Sequence, residues 1–344
     1  MKRRTIGYAS QNYASHSRVS ALYQSIIRER WDVVSAVKTA DELASLDLVI
    51  LHIEPHDYAA IYKEYPGLSR KYVISYCVWE ADKLPEPYRA SLSLVQEVWT
   101  PSEYCKSVIE QYHDRVYCIP HCIERDGGYS QIEFDRVREI IRPRDDDFFF
   151  LNMGATGDKR KNIKALINSF RSCADQIPQA RLILKAPLSD STTSDQRITT
   201  ITNFLSDGEV NALYAISNVY VSTHHGEGWG LTLSDAMLLG IPAIATGYSG
   251  NLHYMTEDNA FLIPSEERNI ETDDCFGLFS GNMKWAYPRL DDIASNMVFV
   301  AEHYDNDIVI QRALQAKRDV LRFNRQQIRE LIHGRLSDLL AERQ

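Results

Sequence analysis

The stretch His224-His225-Gly226-Glu227-Gly228-Trp229-Gly230-Leu231-Thr232-Leu233-Ser234-Asp235-Ala236-Met237 decides how this 344-residue chain is read. It follows a short apolar run, Val219–Thr223, that reads as a strand. It leads into a helical pattern, Leu231–Leu239, which Gly240 ends with Pro242 just beyond. Three glycines let main-chain amides approach a ligand closely. The start of the helix adds N–H groups without intrahelical partners and the positive end of the dipole, which together favour a phosphate. Glu227 falls in the loop and Asp235 about one turn into the helix. Two carboxylates so placed are able to accept hydrogen bonds from hydroxyl groups such as those of a sugar. Taken for its glycines alone, the segment reads equally well as a tight turn with a solvated glutamate.

Outward from this loop, short apolar runs alternate with helical patterns, the signature of βα units and a parallel sheet. In the first half the strands are expected at Thr5–Ala9, Asp47–Ile53, Lys71–Val78, Val95–Thr100 and Val116–Pro120. His16–Arg30 has helical spacing at Val19, Leu22, Tyr23, Ile26 and Ile27. Glu124–Asp147, with Gly127-Gly128, Pro143 and many charges, reads as a connection carrying one short helix. A second series starts at Phe148–Leu151 and continues through Lys161–Cys173 (helix), Ala180–Ala186 (strand) and Asp207–Ile216 (helix). Past the glycine loop, Ile241–Thr246 and Ala260–Pro264 read as the last strands, and the chain is helical from Asp291 onward.

The glycine-loop segment resembles the Glu-x7-Glu signature of family 4 retaining glycosyltransferases. The match runs over Glu227-Gly228-Trp229-Gly230-Leu231, then Asp235-Ala236-Met237, Gly240, Pro242 and Ile244-Ala245. Asp235 stands where the family has Glu. Gly157-Asp158-Lys159-Arg160-Lys161-Asn162 is similar to the family's R-K-N/G turn, with Lys161 at the phosphate-contacting lysine and Arg160 beside it. Further likenesses are Ser206–Tyr214, Ser249-Gly250-Asn251 and Trp285-Ala286-Tyr287-Pro288, so that the resemblance covers most of residues 148–300. The first half is similar more loosely, at Val98-Trp99-Thr100-Pro101-Ser102 and Ile119-Pro120-His121.

The resemblance implies an α/β protein of the GT-B type, with two Rossmann-like domains whose parallel sheets face a central cleft. The expected boundaries are 1–125 for an acceptor-side domain, 126–147 for the connection, 148–303 for a nucleotide-sugar-binding domain and 304–344 for C-terminal helices packing back across the domains. It implies catalytic roles for Glu227, which holds donor-sugar hydroxyls, for Lys161 at the departing diphosphate, and for Glu80, which ends the Val78-Trp79-Glu80 strand. Donor binding is expected of Arg160, Gly228, Trp229, Gly230, Leu231 and Asp235, with Asp235 at the ribose. The implied donor substrate is a nucleotide-diphosphate sugar, and no cofactor or metal is expected. The resemblance implies a glycan or lipid-linked acceptor, with surface polysaccharide biosynthesis as the expected setting.

Composition bounds the alternatives. A net charge of −9 argues against a general nucleic-acid binder, which needs basic surface to displace counterions. Six cysteines scattered along a long chain do not make a disulfide framework. Cys118, His121 and Cys122 lie close together, but no second pair completes a zinc set. The basic start Met1-Lys2-Arg3-Arg4 lacks an apolar segment after it, and no run approaches a membrane span of about 18 residues. The expected location is the cytoplasm. Apolar positions from Val320 to Leu340 are amphipathic, and either pack back on the protein or touch an anionic membrane at its inner face. Two other readings compete: a nucleotide-sugar epimerase on the same fold, and a degenerate binding or scaffold module.

Overall fold

The computed structural model describes residues 3–11, 14–35, 40–155, 157–186 and 195–342. They fall into two compact units, Met1–Glu124 with Phe323–Gln344, and Arg125–Arg322.

The first unit is built on a parallel six-stranded sheet in the order β2-β1-β3-β4-β5-β6. Its strands are β1 Thr5–Ser10, β2 Asp32–Val34, β3 Leu48–His52, β4 Val73–Tyr76, β5 Glu97–Thr100 and β6 Val116–Cys118. Its helices are α1 Ala14–Arg28, α2 Ala40–Ser45, α3 Tyr58–Glu64, α4 Glu86–Leu92 and α5 Glu103–Ile109, joined at the far end of the chain by α12, Arg325–Ala341. Strands β3, β4 and β5 are buried at every position, as parallel strands covered on both faces are. Ser102 caps α5 by accepting from the Cys105 amide.

The apolar positions of α12 point into this unit. Ile328, Ile332, Leu336, Leu339 and Leu340 are buried. Arg335 fixes the helix to the sheet through two bonds to Glu97, Nε to Oε1 at 2.9 Å and Nη2 to Oε2 at 2.5 Å. Glu97 is fully buried and also accepts from Trp99 Nε1 at 2.7 Å and the Tyr72 hydroxyl at 2.9 Å. Arg343 and Gln344 lie outside the described residues.

The second unit repeats the plan with the order β12-β11-β10-β7-β8-β9, again parallel. Its strands are β7 Phe148–Met153, β8 Ala180–Lys185, β9 Ile198–Ile201, β10 Val219–Ser222, β11 Ala243–Thr246 and β12 Phe261–Ile263. An antiparallel hairpin follows, β13 Ser265–Asn269 and β14 Lys284–Pro288. The helices are α6 Gln131–Ile141, α7 Ile163–Cys173, α8 Asp207–Ile216, α9 Leu231–Leu238, α10 Leu290–Glu302 and α11 Asp307–Val320. Phe150, Leu166, Phe170, Leu182, Val221, Ile244, Met297 and Val309 meet in one core.

The α/β class with two parallel sheets is as expected. The segment expected as a connection, 126–147, belongs to the second unit. Its helix α6 starts with a Ser130/Glu133 capping box and buries Val137 and Ile141. Glu133 also accepts from the Ser206 hydroxyl at the start of α8, at 3.1 Å. The expected C-terminal region 304–344 is divided: α11 contributes Val309 to the core of the second unit, and α12 belongs to the first. Strands β2 and β9 and the β13–β14 hairpin were not expected. No helix among the described residues is long and apolar enough to cross a membrane.

Candidate functional site

Two loops leave the carboxyl ends of the central strands β7 and β10, where ligands of open α/β sheets bind. After β7 the chain makes a 3-10 turn over Lys159–Lys161, capped by Asp158, whose carboxylate accepts from the Arg160 amide. Asn162 takes a left-handed conformation, φ 51°, and hands the chain to α7. The Lys161 side chain lies along Gly154, close enough that a Cβ there would press on its Cγ at 3.3 Å.

After β10 the chain runs through His224–Gly230. Gly230 sits at φ 86° directly before α9, a conformation that glycine adopts without steric cost. The Glu227–Gly228 backbone is held by the turn at 249–251. The Glu227 amide donates to Ser249 Oγ at 2.8 Å, and the Gly250 amide donates to the Glu227 carbonyl at 2.8 Å. A side chain at 250 would collide with the Gly228 carbonyl. Ser249 itself is in the left-handed region at φ 76°, a strained conformation for a serine.

These loops bring Glu227, Lys161 and Arg160 together. Lys161 Nζ lies 2.5 Å from Glu227 Oε1, and Arg160 Nη1 lies 3.3 Å from Oε2. Arg160 also donates to the Gly226 carbonyl at 2.8 Å and to Asp158 Oδ2 at 2.9 Å. Burial pushes the Glu227 carboxyl up, but the Lys161 and Arg160 cations outweigh it and hold it down at about 2. Glu227 is therefore a buried carboxylate at neutral pH, facing two cations beside the amino end of α9. His224 lies nearby. Burial holds it neutral, down at about 4. Its Nε2–H donates to the Tyr248 carbonyl, since a carbonyl only accepts, which leaves Nδ1 to accept from Ser222 Oγ at 3.0 Å.

The other expected residues have different surroundings. Asp235, on α9, is buried and its Oδ2 accepts from Arg125 Nε at 2.9 Å. Arg125 also donates to Asn211 Oδ1 and sits 5.7 Å from the centre of the Tyr214 ring. Trp229 is a buried packing residue. Its ring lies 4.8 Å from that of Tyr254, and its indole N–H donates to Ser234 Oγ at 3.1 Å. Gly228 and Gly230 are buried in the loop, and Leu231 is half-buried at the first turn of α9. Glu80 is in the first unit, four residues beyond the end of β4, and half-buried. It is not part of the cluster the second unit builds.

Arg125 was missed. Its partner is 110 residues away in sequence, and nothing local marks an arginine at the start of a polar segment as an ion-pair partner. His225 lies in the glycine-loop segment, where no local signal gives it a role. Its place between two aromatic rings, Trp285 at 4.7 Å and Tyr287 at 4.5 Å, arises from a hairpin that was not expected.

Residues 133–272, which include both loops, match the model of the family described as glycosyl transferases group 1. No curated protein sequence matches the chain. Among solved structures, the chain is similar to HepE of Anabaena in complex with UDP-glucose, with a TM-score of 0.71 and 13% identity over 97% of this chain and 99% of that one. It is similar to a sucrose-phosphate synthase from Thermosynechococcus elongatus, TM-score 0.69 and 14% identity, covering 99% and 100%. It is also similar to WaaG, a glycosyltransferase involved in lipopolysaccharide biosynthesis, TM-score 0.63 and 12% identity, covering 96% and 99%. The shared architecture is the GT-B fold of glycosyltransferases.

Proposed function

We propose that the chain transfers a hexose-type sugar from a nucleotide-diphosphate sugar to a glycan or glycolipid acceptor, with retention of anomeric configuration and without a metal ion. One observation carries this reading: Lys161 and Arg160 converge on the buried carboxylate of Glu227 directly before the amino end of α9. The family match over residues 133–272 supports it.

In the proposed reaction the pyrophosphate meets the main-chain N–H groups of Gly230 and Leu231 at the positive end of α9. The Lys161 ammonium has three N–H donors, so it can hold Glu227 and a phosphate oxygen together. As the bond to the anomeric carbon breaks, charge grows on the departing diphosphate, and a cation already in place stabilises it without reorganisation. Two protein cations next to the phosphates take the part a divalent metal plays elsewhere. Glu227 orients the hexose by accepting from its hydroxyls. A carboxylate has about four lone-pair sites, and the proposed ribose contact of Asp235 uses one beside its bond to Arg125. Glu80 is proposed to act on the acceptor side.

A lipid-linked acceptor brings the enzyme to a membrane surface. The apolar positions of α12 are buried in the first unit, so we assign that contact to the open face of α11 and the turn after it. Ile310, Leu314 and Leu321 are exposed there with Lys317, Arg318 and Arg322 among them, apolar anchors with cations suited to anionic lipid. Co-sedimentation with anionic but not neutral vesicles, lost in a Leu314→Asp variant, is the expected result. Equal sedimentation of both proteins contradicts the assignment.

The reaction is tested by incubating the chain with a panel of nucleotide sugars and glycan or glycolipid acceptors and following the new linkage by NMR. The proposal predicts nucleoside diphosphate release coupled to a glycoside of the donor's own anomeric configuration, undiminished by EDTA. Conversion of the donor to its epimer in the absence of acceptor contradicts it.

A further inference from the structure

In the β13–β14 hairpin, strand β13 is polar and exposed over Glu266–Asn269, while its partner β14 is largely buried and carries a fully buried tryptophan, Trp285. Isolated two-stranded hairpins are marginally stable, so its ordered place needs anchors. Those anchors lie on the two loops of the candidate site.

The first anchor is His225. Its imidazole stacks on Trp285 at 4.7 Å with an interplanar angle of 7°, and Tyr287 approaches at 4.5 Å. Arg268 stands 4.0 Å from the centre of the Tyr287 ring. His225 Nδ1–H donates to the Ala286 carbonyl at 2.5 Å, and the Ala286 amide donates back to the His225 carbonyl at 2.9 Å. The amide of His225 donates in turn to the Arg160 carbonyl at 2.8 Å. One residue thus joins the hairpin to the turn that carries Lys161, two positions before Glu227.

The second anchor is Lys159, two positions before Lys161. Its ammonium donates to the carbonyls of Asp273 and Cys275 in the hairpin's end loop. The end loop is itself tied down through Tyr287, whose hydroxyl donates to Asp274 Oδ2 at 3.0 Å and accepts from the Glu271 amide at 2.9 Å. Both loops of the site are therefore fastened to one external element, each within two residues of the side chain that meets the proposed donor.

We propose that the β13–β14 hairpin is a strap that sets the separation of Lys161 and Glu227, and that Trp285, His225 and Lys159 are positioning residues for sugar transfer; this rests on the donor-site reading above. Their side chains need not touch the donor. They act by holding the cation and the carboxylate at 2.5 Å in the geometry the reaction uses. Displacing a reacting group by about 1 Å costs on the order of 100-fold in rate, so loosening either anchor is expected to show in kcat.

The test compares Trp285→Ala, Trp285→Phe and Lys159→Ala with the wild type and with Lys161→Ala, in donor turnover and in binding of UDP, GDP, ADP and dTDP. Lys159 is exposed, so Lys159→Ala removes nothing from the core and remains informative even where Trp285→Ala fails to fold. The expected result is a kcat lowered about 10- to 100-fold in Trp285→Ala and Lys159→Ala, with a smaller change in donor KM and recovery in Trp285→Phe. Folded Lys159→Ala protein with wild-type kcat, beside a Lys161→Ala protein that has lost activity, overturns the strap and leaves the donor site standing. Wild-type activity in Lys161→Ala overturns both.

Discussion

Lys161 Nζ stands 2.5 Å from Oε1 of Glu227, although the two residues are 66 apart in sequence and sit on loops from different strands. The contact joins a turn after β7 to a turn after β10, neighbours in the sheet. A buried carboxylate is tolerated here because two cations offset its lost hydration. The same arrangement leaves a cation where a phosphate is expected.

Lys161→Ala removes the charge proposed to stabilise the departing diphosphate. A single lost electrostatic contact of this kind costs about 100- to 1000-fold in kcat. Steady-state kinetics with the preferred donor measures it, with Lys164→Ala on the exposed side of α7 as a control. Arg160 remains in Lys161→Ala, so Glu227 keeps one cation and the fold is expected to hold.

Arg335→Ala leaves Glu97 buried without its bidentate partner, since Arg115 lies 3.7 Å away and is itself half exposed. Breaking a buried pair by removing one member costs about 3–5 kcal/mol. Urea denaturation followed by circular dichroism is expected to show a lower midpoint, whose shift multiplied by the m-value gives a loss of that size. An unchanged midpoint contradicts the view that α12 is held by this pair.

Acid is expected to destabilise the first unit through its buried neutral histidines. Burial pushes His16 down to about 4 and His121 down to about 3, and His52 is also well below the ordinary range through burial. The folded pKa values lie below the unfolded value, so the unfolded chain binds more protons as pH falls. Stability is thus retained above about pH 6.5 and lost progressively towards pH 4 and 3. At pH 5 the loss per buried histidine is roughly 1–2 kcal/mol. Urea midpoints at pH 7.5 and pH 5 measure it, and a His121→Gln variant is expected to show a shallower dependence.

What the sequence made legible follows from local signals. Strands β3 and β7 are continuous apolar runs, and α9 is bracketed by Gly230 and by Gly240 with Pro242. The Gly-rich loop before a helix reads as a phosphate cradle from its own residues, whereas the Lys161 turn stands out only through its resemblance to the family's basic turn. What stayed hidden has no local pattern. β2 is three residues long at a sheet edge, and β13 reads Ser-Glu-Glu-Arg-Asn, which carries no apolar alternation. The partnership of Asp235 with Arg125 depends on the tertiary fold bringing together positions 110 apart. The same holds for Trp285, whose reason to be in the hairpin is the His225 ring. The 126–147 segment is tied to the second unit by two buried residues of α6, Val137 and Ile141, in an otherwise polar stretch, and α11 by a buried stripe of Val309, Ala313, Ala316 and Val320.

The most direct measurement is a crystal structure of the wild-type chain soaked with the nucleoside diphosphate that stabilises it most in a thermal screen. The predicted result places a phosphate oxygen within about 3 Å of Lys161 Nζ and of the main-chain N–H groups at Gly230 and Leu231, with Glu227 facing the vacant sugar position. A diphosphate bound elsewhere, with Lys161 still on Glu227 and no ligand at the start of α9, contradicts the account.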